Sequence, residues 1–455
     1  MKTIDNQKIH KLDHQYVLHS WAKQKGIHPK IIKKSHGIYF WDEGGKKYYD
    51  MCSQLVYLNV GHQHPKLIEE FKHIGEIPLA APGFATASKA ELARKIIEVA
   101  PRNMAKVFFA NGGADSNDHA IKIARMVTGR YKVFSRYRSY HGATFGAGNL
   151  SGEGRRFLVE PGIPGFIKFE TPYLYRAPVD FKSDEEATAF YLNRLKNQML
   201  YEGPDQIAAV FMETIPGSNG VLIPPKGYME GVRKLCDQFG ILMICDEVMS
   251  GFGRTGKMFA VDHYDFEPDM ITFAKGVTSG YSPLGGVMVS KTIAAYFDDH
   301  VLMTGLTYSG HTVSTQIGCA TLDIYQDEHL IEHAEAMGEV LAGRLERLRT
   351  YQSVGDVRHI GLFATVELVK DKKTKEPIIA YGMDYGKDKA GLMAKFIGML
   401  TENGFYTYSH ESSVMIAPPL VITEQEINEA LDIFERVLSE FESTVLFADQ
   451  SVISK

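Results

Sequence analysis

The segment ILMICDEV (residues 241–248) ends in acidic residues and is followed by the lysine-containing segment TFAKGVTSGYSPLGG (residues 272–286). Residues 241–245 are continuously apolar and few, a pattern that predicts a buried β-strand rather than an amphipathic helix. In parallel α/β sheets, functional side chains lie beyond the carboxyl ends of such strands. The sequence therefore predicts that Asp246 lies at a functional sheet edge, with Lys275 following 29 positions later.

An aspartate and a lysine in this arrangement suit a pyridoxal phosphate site. The lysine amine holds the cofactor covalently, and the aspartate keeps the pyridine nitrogen protonated so that the ring accepts electrons. The pair alone is also compatible with a surface carboxylate and a solvated lysine, which is what lone charged residues usually are. Further motifs have to separate the two interpretations.

The segment NGGADSNDHAIKIARMV (residues 111–127) predicts an anion site at the start of a helix. Its apolar stripe predicts a helix beginning near Asp115 or Asn117, and the members of that stripe are Ala120, Ile123, Ala124 and Val127. The glycines before it follow a predicted strand, KVFFA. A Gly-rich turn there presents free N–H groups and a positive dipole end to an anion such as the cofactor phosphate. For a lone Gly-Gly pair, an ordinary strand-to-helix turn is the alternative.

The composition describes an ordinary globular chain of 455 residues with a formal charge of −5. No basic block suits nucleic acid or anionic lipid, and no apolar run approaches a membrane span. The N-terminus, MKTIDNQKIHKLDHQ, lacks the apolar core of a signal peptide. The four cysteines show no CxxC spacing, so neither a disulfide framework nor a zinc ribbon is indicated. We therefore expect a reduced, cytoplasmic enzyme.

Two short motifs point to chemistry that their surroundings do not support. GFGRTG (residues 251–256) matches GxGxxG, but residues 246–250 separate it from the strand and no helical period follows, which disfavours a dinucleotide site. His62-Gln63-His64 suggests a metal pair, yet neither a third ligand nor an HExxH frame accompanies it. We expect no metal.

The order of predicted elements indicates an α/β protein with two domains. Residues 61–324 alternate short apolar runs with helical periods, which predicts a large domain with a mostly parallel, doubly wound sheet. Residues 1–60 contain a predicted hairpin, GIYFWDEGGKKYYD. Residues 325–455 alternate strands and helices, and their last helix begins with a capping box, Thr423 and Glu426. Both chain ends are predicted to form one smaller α/β domain.

Seven segments occur in collinear order between about His19 and Glu440. They are GIYFWDEGGKKYYDMCSQLVYLNVGHQHPKLIEE, FFANGGADSNDHAIKIARMVTGR, SYHGATFGAGNLSG, METIPGSNGVLIPPKGYMEGVRKLCDQFGILMICDEVMSGFGRTGK, FAKGVTSGYSPLGG, TGLTYSGHTVSTQIGCATLDI and MIAPPLVITEQEINEALDIF. In these segments the chain resembles the class III (ω-) aminotransferases of the fold-type I pyridoxal phosphate enzymes. HSWAKQ and SQLVYLNVGHQHP look most like the taurine aminotransferases.

For the reactive end of the cofactor, the resemblance implies that Lys275 and Asp246 are the catalytic pair described above. It also implies that Gly113 and Ala114 bind the cofactor phosphate. The family usually has Ser or Thr at the position of Ala114, so contact there is expected from the backbone alone.

For the ring of the cofactor, the resemblance implies that Tyr140, followed by His141, stacks on one face, and that Val248 packs on the other. Glu213, at the end of the strand IAAVFME, is implied to lie near the substrate end of the site. Thr307 matches the threonine that reaches the phosphate of a neighbouring subunit, which implies an active site completed only in a homodimer, with a tetramer as the alternative assembly.

The substrate side departs from the family pattern. Many relatives recognise carboxylates with an arginine nine residues before the alanine of APPL, and that position is Tyr408 here. No arginine lies between Arg358 and Arg436. Arg176, in TPYLYRAP, is therefore the predicted anion-binding residue.

Two further residues are predicted to line the substrate pocket: Val56, where several relatives carry tryptophan, and Trp21 in HSWAKQ. The expected reaction is transamination of an ω-amino acid, with taurine converted to sulfoacetaldehyde as the first donor candidate and 2-oxoglutarate or pyruvate as acceptor. β-Alanine, GABA and diamines are alternative donors. A pyridoxal phosphate racemase or aminomutase, and a non-catalytic binding or oxidoreductase module, are alternative functions.

Overall fold

The structure is a computed structural model that describes residues 5–380 and 388–447. Its helices are α1 (Asn6–Tyr16), α2 (Ser53–Val56), α3 (Pro65–Lys72), α4 (Ala87–Val99), α5 (Gly113–Thr128), α6 (Phe145–Leu150), α7 (Asp184–Glu202), α8 (Tyr228–Phe239), α9 (Lys291–Asp299), α10 (Thr312–Asp327), α11 (Leu330–Arg347), α12 (Leu392–Glu402) and α13 (Glu424–Phe441). Its strands are β1 (Ile32–His36), β2 (Tyr39–Asp42), β3 (Lys47–Asp50), β4 (Met104–Ala110), β5 (Lys132–Arg136), β6 (Phe166–Phe169), β7 (Ile207–Glu213), β8 (Leu242–Asp246), β9 (Met270–Phe273), β10 (Gly285–Ser290), β11 (Val354–Ile360), β12 (Phe363–Asp371), β13 (Glu376–Pro377), β14 (Phe405–Tyr406), β15 (Ser409–His410) and β16 (Ser413–Ile416).

A seven-stranded sheet runs through the middle of the chain in the order β4-β10-β9-β8-β7-β5-β6. β6, β5, β7, β8 and β9 pair in parallel, whereas β10 is antiparallel to both β9 and β4. The mostly parallel sheet predicted from the alternating pattern is confirmed. Glu213 pairs in register with Asp246, so the carboxyl ends of β7 and β8 bring two carboxylates to one sheet edge.

Alternate residues of the central strands pack on opposite faces of this sheet, as the period of a strand requires. Phe211 and Ile244 pack with residues of α5, whereas Met212 and Cys245 pack with residues of α7 and α8. Burial on both sides explains why these strands are continuously apolar. The same alternation sends the side chain of Asp246 to the α5 face.

Helix α5 begins earlier than its apolar stripe indicates. It starts at Gly113, whereas the sequence predicted a start near Asp115 or Asn117. The first turn is polar because it caps the preceding loop: the Asp115 carboxylate accepts the Asn111 N–H at 2.7 Å. Periodicity of apolar residues does not register such a turn, so the prediction was late by a few residues.

The two chain ends share a sheet. β2 and β3 form the predicted antiparallel hairpin, and β14, from the C-terminal part, pairs in parallel with β3. A third sheet, β11-β12-β16-β15, follows in the C-terminal part. This pairing supports a small domain built from both ends, while its boundaries at residues 60/61 and 324/325 stay a prediction.

Helix α13 begins at the predicted capping box. The Thr423 N–H donates to Glu426 Oε2 at 2.9 Å, and the Glu426 N–H donates to Thr423 Oγ1 at 3.3 Å. These bonds satisfy N–H groups that a helix start otherwise leaves open. Within residues 5–380 and 388–447, no helix has the length and apolar character needed to cross a membrane.

Candidate active site

Asp246, the last residue of β8, is the centre of a buried hydrogen-bond network. Its Oδ2 accepts the Asn117 side-chain amide at 2.8 Å and lies 2.7 Å from His141 Nδ1. Its Oδ1 accepts the Val248 N–H at 2.9 Å. A carboxylate only accepts hydrogen bonds, so the His141 proton on this bond is carried by Nδ1. The network holds a negative charge in a fixed orientation inside the protein.

Asn117 is the member of this network that the sequence reasoning missed. Its side-chain amide donates to both the Asp246 carboxylate and the His141 carbonyl oxygen, the latter at 2.7 Å. The available signal was its position: Asn117 is three residues before Ala120, on the apolar stripe of α5. A polar residue on a buried helix face requires partners, because a buried amide without them is costly.

His141 presents one buried nitrogen beyond this network. Its ring packs edge-on against Phe211 with ring centroids 5.3 Å apart, and its Nε2 has no hydrogen-bond partner among the described residues. Buried polar atoms in folded proteins are normally paired. His141, next to Asp246, therefore offers one buried ring nitrogen that can hydrogen-bond to a polar group bound in the site.

Lys275 follows β9 and is buried near the same carboxylates. Burial lowers the pKa of Lys275 to about 8, and Arg155 and Arg254 contribute to that shift while Asp246 and Glu213 oppose it. Its backbone φ of 46° lies in the left-handed region, which is uncommon for a lysine. Strained backbone of this kind persists only where surrounding structure determines it, and functional sites are typical places for it.

Glu213, beside Asp246 at the sheet edge, organises the segment that carries Tyr140. Its two carboxylate oxygens accept the N–H groups of Tyr140 and Gly217, each at 3.0 Å. Burial raises the pKa of Glu213, and the Asp246 charge adds to the rise. Glu213 therefore acts on the backbone that places the Tyr140 ring, as well as on the charge of the site.

Close packing at the start of α5 leaves no room for a side chain at Gly113 or Gly142. A Cβ on Gly113 would lie 2.8 Å from Val248 Cγ1, and a Cβ on Gly142 would lie 2.4 Å from the Ala114 Cβ. Gly142 also has a φ of 138°, which L-residues rarely adopt. The packing brings the N-terminal N–H groups of α5 and the Val248 side chain into one cradle, where the sequence predicted phosphate and ring contacts.

Arg155 stacks on Tyr140, which the sequence reasoning did not foresee. The guanidinium carbon lies 3.6 Å from the centroid of the Tyr140 ring and 5.2 Å from that of Trp21. Burial raises the pKa of Tyr408, and the positive charge of Arg155 opposes that rise. Arg155 therefore lies close to three aromatic residues: Tyr140, Trp21 and Tyr408. Its positive charge also contributes to the lowered pKa of Lys275.

Arg176, the predicted anion-binding residue, is engaged elsewhere. Its Nε donates to Glu367 Oε1 at 2.6 Å, and its Nη1 donates to the Lys375 carbonyl oxygen at 2.6 Å. Arg358 donates to the same carboxylate at 2.9 Å. Glu367, in β12, therefore pairs with both Arg176 and Arg358. This arrangement corrects the prediction: Arg176 neutralises a buried carboxylate that it shares with Arg358.

Val56 and Tyr408 pack in one apolar cluster on the substrate side. Val56 is 1% exposed and shares this cluster with Phe363 and Met415, and Tyr408 packs against it. Val56 therefore forms a covered wall rather than an open surface. Trp21, by contrast, is 66% exposed in a single chain.

The turn that carries Val56 is irregular. Gln54 has φ 61° and ψ −88°, and its backbone N–H and side-chain amide both donate to the Asp50 carboxylate, at 2.9 and 2.8 Å. His62 Nε2 lies 2.9 Å from the same carboxylate, and His64 Nε2 lies 3.2 Å from Glu328. The His62-Gln63-His64 motif therefore stabilises structure.

Thr307 is exposed, and the neighbouring apolar residues Val301, Met303 and Tyr308 are 76%, 77% and 65% exposed. Such a run of exposed apolar side chains suits an interface rather than a free surface. The predicted contact of Thr307 with another subunit stays a prediction.

Comparisons with known proteins find aminotransferases over nearly the whole chain. Residues 21–438 match the family Aminotransferase class-III. The taurine:2-oxoglutarate aminotransferase of Bifidobacterium kashiwanohense, solved in complex with PLP and glutamate, is 47% identical, with a TM-score of 0.94 over 98% of this chain and 100% of that chain. The taurine–pyruvate aminotransferase of Bilophila wadsworthia is 32% identical over 447 residues, which are 94% of this chain and 96% of that protein. The putrescine–pyruvate aminotransferase of Pseudomonas aeruginosa is 33% identical over 436 residues, 92% of each.

Proposed function

The chain belongs to the class III aminotransferase family, and from this premise we propose that its amino donor is an ω-amino acid ending in an anion, with taurine as first candidate. Membership makes it a pyridoxal-phosphate-dependent ω-aminotransferase of fold-type I, which transfers an amino group from a donor to an oxo acid acceptor. The family, fold class, reaction type and cofactor predicted from the sequence are confirmed. The donor, the acceptor and the roles of single residues are what we propose.

The buried groups around Asp246 fit pyridoxal phosphate. A carboxylate held by three donors suits a protonated pyridine nitrogen, and the N-terminal N–H groups of α5 at Gly113 and Ala114 suit a phosphate. Tyr140 and Val248 would flank the ring. When bound, the cofactor supplies the electron sink that weakens a C–H bond next to the donor nitrogen.

Lys275 is the group that moves the proton in this reaction. A base is most effective when its pKa is near the working pH, and burial brings the pKa of Lys275 to about 8. A buried Nζ is also shielded from competing proton exchange with water. Lys275 therefore combines covalent attachment of the cofactor with proton transfer at one atom.

The position of Arg155 is the observation that supports an anionic donor. Its guanidinium carbon lies 3.6 Å from the centroid of Tyr140, the residue proposed to cover the cofactor ring, and 5.2 Å from that of Trp21. A guanidinium binds carboxylates and sulfonates through paired charge-assisted bonds. Arg155 thus takes the role first assigned to Arg176 and replaces the arginine that many relatives carry at the position of Tyr408.

Transfer of the amino group from taurine would leave sulfoacetaldehyde. We propose 2-oxoglutarate as acceptor ahead of pyruvate, because a relative named for 2-oxoglutarate is 47% identical and one named for pyruvate is 32% identical. β-Alanine and GABA are the second candidates, since a terminal carboxylate also suits Arg155. A diamine would place a second ammonium near that guanidinium, and repulsion disfavours it.

A donor-by-acceptor activity panel tests the proposal. Loss of a charge-assisted bond costs about 1.5–3 kcal/mol, so Arg155→Ala is expected to lower kcat/KM for taurine about ten- to a hundredfold. An uncharged alkylamine should lose far less, and Arg176→Ala should affect both donors equally. Equal losses of both donors in Arg155→Ala would show that Arg155 is not the anion-binding residue.

We propose that the enzyme is a homodimer in which Thr307 reaches the partner's cofactor phosphate. Mixing Lys275→Ala with a bulky variant at Thr307 would form heterodimers with one intact site. Activity that stays absent although subunits demonstrably exchange would exclude the contact between subunits.

A further inference from the structure

We propose that Glu153 is the positioning residue of Arg155, and that it fixes the guanidinium on Tyr140 in the orientation that receives the substrate anion. This inference rests on the proposed function, in which Arg155 binds the anionic end of the donor. Glu153 is fully buried, and its Oε1 accepts a hydrogen bond from Arg155 Nε. This bond engages the Nε–H of the guanidinium and so fixes the direction in which the guanidinium points.

The backbone of Glu153 is fixed relative to Tyr140. The N–H groups of Gly152 and Glu153 donate to the Ser139 carbonyl oxygen at 3.0 and 3.3 Å. A Cβ on Gly152 would fall 2.0 Å from the Arg136 carbonyl oxygen, so the chain passes there only as glycine. Ser139 directly precedes Tyr140, and the Glu153 carboxylate therefore starts from a fixed point beside the ring that Arg155 covers.

The second carboxylate oxygen of Glu153 connects the site to the C-terminal part of the chain. Glu153 Oε2 lies 3.1 Å from His410 Nε2 in β15, two residues after Tyr408. Burial would raise the pKa of Glu153, but His410 and Arg155 together hold it below its usual range. Glu153 therefore stays a carboxylate shared between Arg155 and a strand that follows the substrate pocket.

Positioning and simple electrostatics predict opposite effects of removing Glu153. A guanidinium without its anchor regains rotational freedom, which weakens anion binding. A negative charge near the site repels an anion, so its removal alone would strengthen binding. The two effects can be separated, because Gln retains an acceptor oxygen without the charge and Ala retains neither.

Direct binding of ethanesulfonate, which lacks the amine of taurine and cannot react, measures the effect. The chain has two tryptophans, and Trp21 lies 5.2 Å from Arg155. Fluorescence of Trp21 in a Trp41→Phe holoenzyme therefore reports occupancy at Arg155 independently of turnover. Glu160→Ala is the matched control, because Glu160 accepts the Arg156 Nε at 2.8 Å in a neighbouring pair.

We expect Glu153→Ala to weaken ethanesulfonate binding about tenfold, the lower end of what the loss of a charge-assisted hydrogen bond costs. Glu153→Gln should stay within about threefold of wild type because the acceptor oxygen remains, and Glu160→Ala should match wild type. In turnover, Glu153→Ala should raise KM for taurine far more than KM for an uncharged alkylamine. Tighter binding in both Glu153 variants, or wild-type binding in Glu153→Ala, would overturn the positioning role.

Glu153→Asp provides a variant that is less disruptive to folding. It keeps the charge but withdraws the carboxylate by one methylene, so ethanesulfonate binding should weaken, and binding equal to wild type would contradict the proposal. Arg155→Ala separates this inference from the proposed function. Undiminished ethanesulfonate binding in Arg155→Ala would refute the anion site itself, whereas weak binding there with intact binding in Glu153→Ala would refute only positioning.

Discussion

The cofactor side and the substrate side of the site are built from different kinds of structure. Asp246, Glu213 and Asn117 lie at the ends of parallel strands and in the first turns of a long helix. Arg155, in a short 3-10 turn, and Trp21, in an irregular segment, lie on connections, and Tyr408 directly precedes a two-residue strand. The groups that we propose to be reactive are thus on rigid elements, and the groups that we propose to select the donor are on segments that can vary without altering the sheet.

This difference predicts that changes on the cofactor side affect every substrate, while changes on the substrate side affect only anionic ones. The largest effect is expected for Lys275→Ala, which would remove both the proposed point of cofactor attachment and the proposed proton carrier. Transamination should fall by more than about a thousandfold for charged and uncharged donors alike. Borohydride reduction of wild type should place the pyridoxyl label on Lys275, and recovery of the label on another peptide would refute the assignment. The exposed Lys106→Ala is the control.

The buried state of Lys275 predicts a pH dependence of stability in the cofactor-free form. Its pKa is about 8 in the fold and 10.5 in the unfolded chain, so between these values only the unfolded chain binds the proton. The free energy of unfolding should therefore rise with pH across this window, by up to about 3 kcal/mol. Chemical denaturation of wild type and Lys275→Met measures it: the advantage of Lys275→Met should shrink from pH 8 to 10.5, and a constant difference would contradict the burial of the charge.

Asp246→Asn tests the charge at the sheet edge while keeping its shape. Removing one preorganised charge at a reacting centre lowers turnover by about a hundredfold, and the loss should be equal for taurine and for an uncharged amine. Absorbance of the bound cofactor should show that the variant remains loaded. Near-normal turnover in the loaded variant would mean that Asp246 has another role.

Asn117→Ala gives the smallest expected effect and tests how tightly the cofactor side is held. It leaves the Asp246 carboxylate and the His141 carbonyl each without one donor, which should lower the free energy of unfolding by about 1–3 kcal/mol. Urea denaturation measures the change. Asn193→Ala, at an exposed position of α7, should leave the free energy of unfolding unchanged. Equal stability of the two variants would mean that the hydrogen bonds of Asn117 do not stabilise the fold.

Much of this molecule could be predicted from local sequence because the signals are local. A continuous apolar run predicts β8, an apolar stripe predicts α5, and Thr423 with Glu426 predicts the start of α13. The start of α5 and the role of Asn117 were missed because periodicity reports buried apolar residues and not the polar turn before them. Asn117 on an apolar stripe was the signal that could have revealed the network.

By itself, the sequence determined the sheet, the order of its elements, and the aspartate and lysine at its edge, because strand ends and helix starts follow from residues next to one another. Only the tertiary structure decided which arginine stacks on Tyr140. Arg155 and Arg176 both lie in irregular connections, and a long cationic side chain is stable in water at either place. The contacts decide: Glu367 engages Arg176, whereas Glu153 and Tyr140 contact Arg155, and His410, from a distant part of the chain, contacts Glu153 in turn.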